Sequence, residues 1–287
     1  MADAASDGAG MMPPHDQRVG PSGRILAVDN GGFAMKLDFI GKRVLVTGGT
    51  RGIGLAVVEA FLAAGASVAV NGSSEQSVAE AVAGLPERDR VVAVPGSMAT
   101  VDGCRAAVDT ALAGLGGLDV LVNNAGIWHP TPVASTDERT WDAILDINLK
   151  GAFFVTQHAV PALRAAKGNI VNIASISGFA GEADATAYCV SKAGLIQMTR
   201  CNAVELGPDI RVNAVCPGPI DTAMLRRGAD FWSGGVEEGY RTMSQQTMLK
   251  RVGEVRDIAG PVLYLASDLA SYVTGIVHVV DGGMTIG

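Results

Sequence analysis

Thr47-Gly48-Gly49-Thr50-Arg51-Gly52-Ile53-Gly54 lies between a β-branched apolar run over residues 44–47 and a helical stretch over residues 54–64 that Gly65 closes. A turn in that position reverses the chain within a few residues, and glycine, lacking a Cβ, accepts the positive φ angles this needs. Glycine also lets backbone amides approach a pyrophosphate at a helix N-terminus, where unpaired N–H groups and the helix dipole favour negative charge. A second apolar run over residues 68–70 follows, so the stretch reads as the first βαβ unit of a dinucleotide-binding fold. The setting carries this reading: among 37 glycines the bare spacing would arise by chance on the order of once.

Outward from that unit, short apolar runs recur at residues 91–94, 120–122, 170–173, 212–215 and 277–280, separated by helix-length segments. Strands apolar on both faces and alternating with helices imply a parallel sheet covered on each side, a Rossmann-type doubly wound α/β architecture. No boundary for a second domain is visible after residue 40. We expect one domain over residues 35–287, with a segment over 222–250 that lacks a clear period and reads as a mobile substrate lid. Residues 1–34, rich in Gly, Ala, Asp and Pro without apolar period, are expected to form a disordered tail, and Met35 offers an alternative start.

Composition narrows the function classes. The 287 residues are 48% apolar and carry a net charge of −7, which repels phosphate backbones and anionic membranes, so neither nucleic acid nor membrane is an expected partner. No run approaches the length of a membrane span and no signal-peptide pattern opens the chain, so a cytoplasmic location is expected. Cys104, Cys189, Cys201 and Cys216 form no CxxC pair, and His15, His129, His158 and His278 are scattered singly. The cysteines read as small buried hydrophobes, and no metal centre is expected.

The cofactor choice falls at the end of the second strand, where an acid would bond a ribose 2′-hydroxyl and repel a 2′-phosphate. The chain reads Val70-Asn71-Gly72-Ser73-Ser74 there. With no carboxylate at the turn, Arg51 and the hydroxyls of Ser73 and Ser74 offer phosphate contacts, so NADP is expected ahead of NAD. Glu75 keeps NAD open, although an acid in the first turn of the next helix is its simpler role.

Tyr188 and Lys192 stand four apart and share a helix face. A phenol titrates near 10, too high for a base at neutral pH, and an adjacent ammonium with an oxidised nicotinamide would lower it. With only four tyrosines, a chance Tyr-x-x-x-Lys pair is expected about 0.1 times per chain, and Ser175 just past the strand ending at Ile173 reduces this below about 0.01. The triple sits at the carboxyl end of a strand, where open α/β sheets place their chemistry.

These residues resemble the short-chain dehydrogenases/reductases, in the single-domain branch with TGxxxGxG spacing, similar to its 3-oxoacyl-(acyl-carrier-protein) reductases. The resemblance runs from about residue 38 to the C-terminus and includes Asn123-Asn124-Ala125-Gly126, Asn148 in Asp146-Ile147-Asn148-Leu149, and Pro217-Gly218 with Ile220 and Thr222. It implies that Tyr188 exchanges a proton with a carbonyl or alcohol oxygen, that Ser175 holds that oxygen, and that Lys192 lowers the Tyr188 pKa and bonds the nicotinamide ribose. By the same resemblance Asn148 holds a water linking Lys192 to solvent. Gly48, Thr50, Arg51, Gly52, Ile53, Gly54 and Ser73 would line the phosphate side. Asn124 and Gly126 would line the adenosine side and Ile220 and Thr222 hold the carboxamide, with Pro217 and Gly218 beside them at the cofactor. One departure is Pro95-Gly96-Ser97-Met98, where the family often carries an acid toward adenine.

The aromatics of 222–250, with Trp128 and His129, suggest either an apolar or ring-bearing substrate part or a packed subunit contact, and Arg226, Arg227 and Arg241 could grip a carboxylate or phosphate or form a solvated face. A free small-molecule carbonyl or secondary alcohol is expected as substrate. The alternative is an acyl-carrier-bound 3-oxoacyl group, for which Arg164 and Lys167 are offset by Gly207-Pro208-Asp209. A non-catalytic sensor of dinucleotide redox state is a third reading, disfavoured because Ser175, Tyr188 and Lys192 are all present. Broad apolar faces on the helices near 140–166 and 187–206, which pair across subunits in the family, imply a homotetramer.

Overall fold

A computed structural model describes residues 37–287; the expected tail over 1–34 lies outside the described residues. The first β-branched run is strand β1 (Arg43–Val46). Val44 and Val46 point into one apolar layer and Leu45 into the other, all fully buried. The same split recurs in β4 (Val120–Asn123), with Val120 and Val122 on one side and Leu121 on the other. This is the period-two pattern of a strand covered on both faces.

Helix α1 (Gly52–Ala63) follows the glycine turn, then β2 (Ser67–Gly72), α2 (Glu75–Gly84), β3 (Val91–Pro95) and α3 (Val101–Leu115) before β4. Helices α4 (Glu138–Leu145) and α5 (Ala152–Ala166) are joined by a π-helical segment, Asp146–Gly151. They lead to β5 (Asn169–Ile173), the 21-residue α6 (Thr186–Leu206) and β6 (Arg211–Pro217). The chain continues through α7 (Ala223–Ser233), α8 (Val236–Gln246) and α9 (Val255–Ala266) to β7 (Val277–Val280).

Among the described residues the strands form one parallel sheet in the order β3-β2-β1-β4-β5-β6-β7. The order reverses between β1 and β4, which opens a crevice at the carboxyl ends of those strands. Helices α1 and α9 cover one face, with Phe61 and Ile258 fully buried there; α3, α5 and α6 cover the other around Val108, Leu163 and Leu206. Residues Leu37–Gly287 form one compact unit, and no helix among the described residues is long and apolar enough to cross a membrane.

Two expectations are corrected. The segment over 222–250 is not without period: α7 and α8 pack on each other, with Ala229 buried against Gly239, where an added Cβ would come within 2.6 Å. Its glycines conceal the period because Gly234 and Gly235 form the bend between the helices rather than a long loop. Cys201 is exposed on α6 and Cys189 half-buried, so only Cys104 and Cys216 are the buried hydrophobes expected of all four.

Candidate active site

The glycine turn is shaped by three constraints. Gly48 and Gly52 have φ of +61° and +55°, in the left-handed region, and at Gly54 a Cβ would stand 2.2 Å from the Gly48 carbonyl. Side chains from the neighbouring strand ends then fix the turn. Thr47 Oγ1 accepts from the Asn124 and Ala125 amides, both at 3.0 Å, and Asn124 Nδ2 donates to the Thr47 and Gly48 carbonyls at 3.0 and 2.9 Å. Asn124, read from the sequence as an adenosine-side residue, is therefore first a brace across the switch point. Asn71 is a second brace that sequence reading noticed only for lacking a charge. It accepts from the Gly48 amide at 3.2 Å and donates to the Val94 and Gly96 carbonyls at 2.9 and 3.0 Å, tying β1, β2 and β3 together.

Helix starts differ in a telling way. Ser74, Thr100, Asp137 and Thr222 each cap their helix with a side-chain oxygen. Helix α1, starting at the glycine turn, has no side-chain cap and no acid in its first turn, a start it shares with α6. The leading amides of α1 face the crevice without a side-chain partner, the arrangement in which an anion can be accepted. Ser74 caps α2, accepting from the Ser77 amide at 3.2 Å, and Ser73 rather than Ser74 lines the crevice. Arg51 and Ser73 remain exposed on the wall of the same crevice, and Glu75 sits in the first turn of α2.

A cavity of about 1120 Å³ runs from this turn to the end of β5. Gly48, Thr50, Arg51, Gly52, Ile53, Gly54, Ser73, Asn124 and Gly126 line it, as do Ser175, Tyr188, Lys192, Pro217, Gly218, Ile220 and Thr222. The expected residues are thus brought to one continuous space, large enough for a dinucleotide and a small second ligand. Asn148 is fully buried in the π-helical segment. Its Oδ1 accepts from the Ile127 amide at 2.8 Å, and its Nδ2 donates to the Ile127 carbonyl and Ser191 Oγ at 2.9 and 3.1 Å. A Cβ placed on Gly126 would stand 3.4 Å from Asn148 Oδ1 and 3.5 Å from Lys192 Nζ, so glycine leaves one small space that both polar groups face.

At the chemical end, Ser175 (8% exposed) opens the 3₁₀ turn Ile176–Gly178, and Tyr188 and Lys192 (4% exposed) rise from the start of α6. Lys192 Nζ donates to the Ile173 carbonyl at 2.8 Å and lies 5.7 Å from the centre of the Tyr188 ring. Burial pushes the Lys192 amine down to about 8. Burial also pushes the Tyr188 phenol up to about 12, against a hydrogen bond with Ser175 that lowers the value when the serine donates. Among the protein's own groups desolvation sets the direction of the phenol's shift, and Lys192 is held by the Ile173 carbonyl rather than by the phenol. Sequence reading missed Ser177 and Glu182, which continue from Ser175. Ser175 Oγ donates to Ser177 Oγ at 3.0 Å, and Ser177 Oγ donates to Glu182 Oε1 at 2.5 Å.

Over the outer end of the cavity, Trp128 and Trp232 have ring centres 4.8 Å apart, with Phe231 6.0 Å from Trp128. Trp232 Nε1 donates to the Ala183 carbonyl at 3.3 Å, joining α7 to the loop that bears Glu182. Asp221 joins α7 to α8 by accepting from Tyr240 at 2.7 Å and taking both ends of the Arg226 guanidinium at 3.0 Å. Arg226 is therefore spent on Asp221 and Arg241 on Glu238, while Arg227 lines the cavity.

Comparison with known proteins agrees with this geometry. The family model described as enoyl-(acyl carrier protein) reductase matches residues 48–285. The 3-oxoacyl-(acyl-carrier-protein) reductase FabG of Thermotoga maritima is 39% identical over 257 residues, 88% of this chain and 100% of the relative. Among solved structures, a short-chain dehydrogenase/reductase of the glucose/ribitol dehydrogenase type from Brucella melitensis is 32% identical with a TM-score of 0.82, covering 88% of this chain and 100% of that one. The aldohexose dehydrogenase of Thermoplasma acidophilum is 31% identical with a TM-score of 0.79, covering 88% and 96%. The chain belongs to the short-chain dehydrogenase/reductase family, whose oxidoreductases act between CH–OH or ketone groups and NAD(P).

Proposed function

We propose that the cavity holds a nicotinamide dinucleotide, NADP ahead of NAD, beside a small ketone or secondary alcohol, and that Tyr188 is the acid and base of the interconversion. The observation that carries this reading is convergence: the uncapped start of α1 and the Ser175, Tyr188 and Lys192 side chains share one cavity at the carboxyl ends of the sheet. The dinucleotide would supply or accept hydride at the substrate carbon, and its oxidised ring would add positive charge near the phenol.

The chain's own groups do the rest. Ser175 holds the substrate oxygen against the Tyr188 hydroxyl, so proton exchange occurs at a fixed short distance. Lys192 keeps positive charge beneath the ring and reaches the ribose side. Asn148, whose Oδ1 faces the space beside Gly126 together with Lys192 Nζ, holds a water there for proton exchange with solvent. Gly48, Thr50, Gly52, Ile53 and Gly54 cradle the pyrophosphate, with Arg51 and Ser73 on the 2′-phosphate. Asn124 and Gly126 support the adenosine side, and Pro217, Gly218, Ile220 and Thr222 the carboxamide.

The substrate reading rests on the outer end of the cavity. Paired tryptophans offer flat apolar faces, and Arg227 and Glu182 add one donor and one acceptor beside them. That mixture suits a polyhydroxylated ring, whose C–H face stacks while its hydroxyls bond. A 3-oxoacyl group on an acyl carrier protein is the second reading, favoured by the Thermotoga relative. Against it, the basic pair expected near β5 is weakened, because Arg164 is paired with Asp209 at 3.0 Å. A non-catalytic sensor would have no use for an intact Ser175, Tyr188 and Lys192. For assembly we propose a homotetramer, since Trp141, Phe153, Val190 and Val204 leave apolar surface on α4, α5 and α6.

Turnover with NADP or NADPH against aldohexoses, polyols, simple ketones and acetoacetyl thioesters tests the reading. Aldohexose or polyol oxidation should dominate; faster reduction of acetoacetyl thioesters would install the second reading, and no turnover across the panel despite tight cofactor binding would favour the sensor.

A further inference from the structure

The hydrogen bonds from Ser175 run away from the reacting oxygen, and their direction is fixed by chemistry. An ionised carboxylate only accepts, so Ser177 must donate its single proton to Glu182, at 2.5 Å. Ser177 Oγ is then an acceptor toward Ser175, which gives it its own proton at 3.0 Å. Ser175 Oγ already accepts from the Ser177 amide at 3.1 Å. What is left to Ser175 is one lone pair, which it presents to the cavity that it lines together with Tyr188.

We propose that Glu182 is a positioning residue which, through Ser177, turns the Ser175 proton away from Tyr188, so that Ser175 offers the phenol a lone pair rather than a proton. The relay lies inside the cavity wall: Ser175 and Ser177 are 8% and 6% exposed, and Ser175, Ser177, Glu182 and Tyr188 all line the same space. A purely structural serine pair would not need a carboxylate at its end. Here the acceptor-only group decides the polarity of every hydroxyl behind it. While Ser175 is committed in this way it stabilises the phenol rather than the phenolate, and a carbonyl oxygen that needs Ser175 as donor has to win the proton back from Ser177. The relay thus keeps the acid loaded until substrate arrives, a role that rests on the reading of Tyr188 as acid and base.

The charged and titratable groups facing Tyr188 come from every neighbouring element. They are Lys192 and Cys189 on α6, Cys216 on β6 and Glu182 in the loop after β5, with Arg227 on α7 elsewhere in the lining of the same cavity. Two effects of Glu182 must therefore be separated, its charge acting through space and its grip on Ser177. Ser177→Ala cuts the relay and leaves the charge in place; Ser177→Gly makes the same cut should Ala disturb the turn. Glu182→Ala removes both.

The test is the titration of Tyr188 in the protein saturated with oxidised dinucleotide, followed by the ring carbon bonded to oxygen in ¹³C-tyrosine-labelled protein. Four tyrosines and a Tyr188→Phe sample make the assignment. In Ser177→Ala the midpoint should fall by about one pH unit, because the freed Ser175 proton turns to the phenolate. Glu182→Ala should fall at least as far, and the double variant no further than Glu182→Ala alone. A Ser177→Ala midpoint equal to wild type overturns the proposal, whether Glu182→Ala moves it (charge through space only) or not. Failure of the wider reading shows separately, as turnover retained by Tyr188→Phe.

Discussion

Replacing Gly54 by Ala adds one methyl group at the tightest point of the phosphate-binding turn. That carbon would lie 2.2 Å from the Gly48 carbonyl oxygen and 2.4 Å from Asn124 Nδ2, distances no real Cβ adopts. The carbonyl belongs to the backbone of the turn and cannot swing aside as a flexible side chain would. It has to move by about 1 Å to restore ordinary contact, which in a tight site costs about 1–3 kcal/mol. The same movement breaks the two Asn124 bonds to the Thr47 and Gly48 carbonyls, each worth about 1 kcal/mol. The sum, about 3–5 kcal/mol, appears in two readouts. Melting should fall by several degrees without added cofactor, and because the displaced carbonyl misaligns the leading amides of α1, NADPH affinity should fall about 30-fold or more. Gly84 is the matched control: a Cβ there meets nothing within 4 Å and its φ is ordinary, so Gly84→Ala should leave binding unchanged and stability neutral or slightly raised. Titration calorimetry and thermal melting of both variants decide the matter. A Gly54→Ala protein that melts with wild type and binds NADPH within threefold of it would refute the argument.

Two further outcomes follow from the same geometry. Lys192 has its amine lowered by burial from 10.5 to about 8, so between those values the unfolded chain binds more protons than the native state. Lys192 therefore makes stability rise with pH through that window, and the difference between wild type and Lys192→Met, measured by urea unfolding without added dinucleotide, should grow by about 3 kcal/mol from pH 8 to pH 10.5; a flat difference would contradict the burial argument. Arg51→Glu places negative charge where the 2′-phosphate is proposed to sit, and should lower the NADPH:NADH ratio of kcat/KM by about 100-fold; an unchanged ratio would remove Arg51 from that role.

Much of the fold is legible because its signals are local. The strand runs place β1 to β7 within one or two residues, since the central strands, buried on both faces, have to be largely apolar. The glycine turn and the Ser175, Tyr188 and Lys192 spacing are likewise short-range patterns that only a turn and a helix can satisfy. What escaped reading depends on contacts distant in sequence. Asn71 and Asn124 brace the turn from 23 and 76 residues away, and nothing about an isolated asparagine discloses that. The buried ladder from Asn123 to Asn172 to Thr199 is equally silent in the sequence, although three polar residues in otherwise apolar elements are a signal worth following. Helices α7 and α8 were hidden because glycines serve there as close contacts and a bend. For Tyr188, local spacing reveals a neighbouring charge but not how deeply both groups are desolvated, and in the protein alone that burial raises the phenol.

The central claim is that the phenol oxygen of Tyr188 is the proton donor and acceptor. Tyr188→Phe removes that oxygen and keeps the ring that packs at the start of α6. With the best substrate of the panel and saturating dinucleotide, the account predicts kcat lower by about 10³-fold or more, with cofactor affinity within a few-fold of wild type. A variant that binds cofactor normally and turns over at a near-normal rate would contradict it.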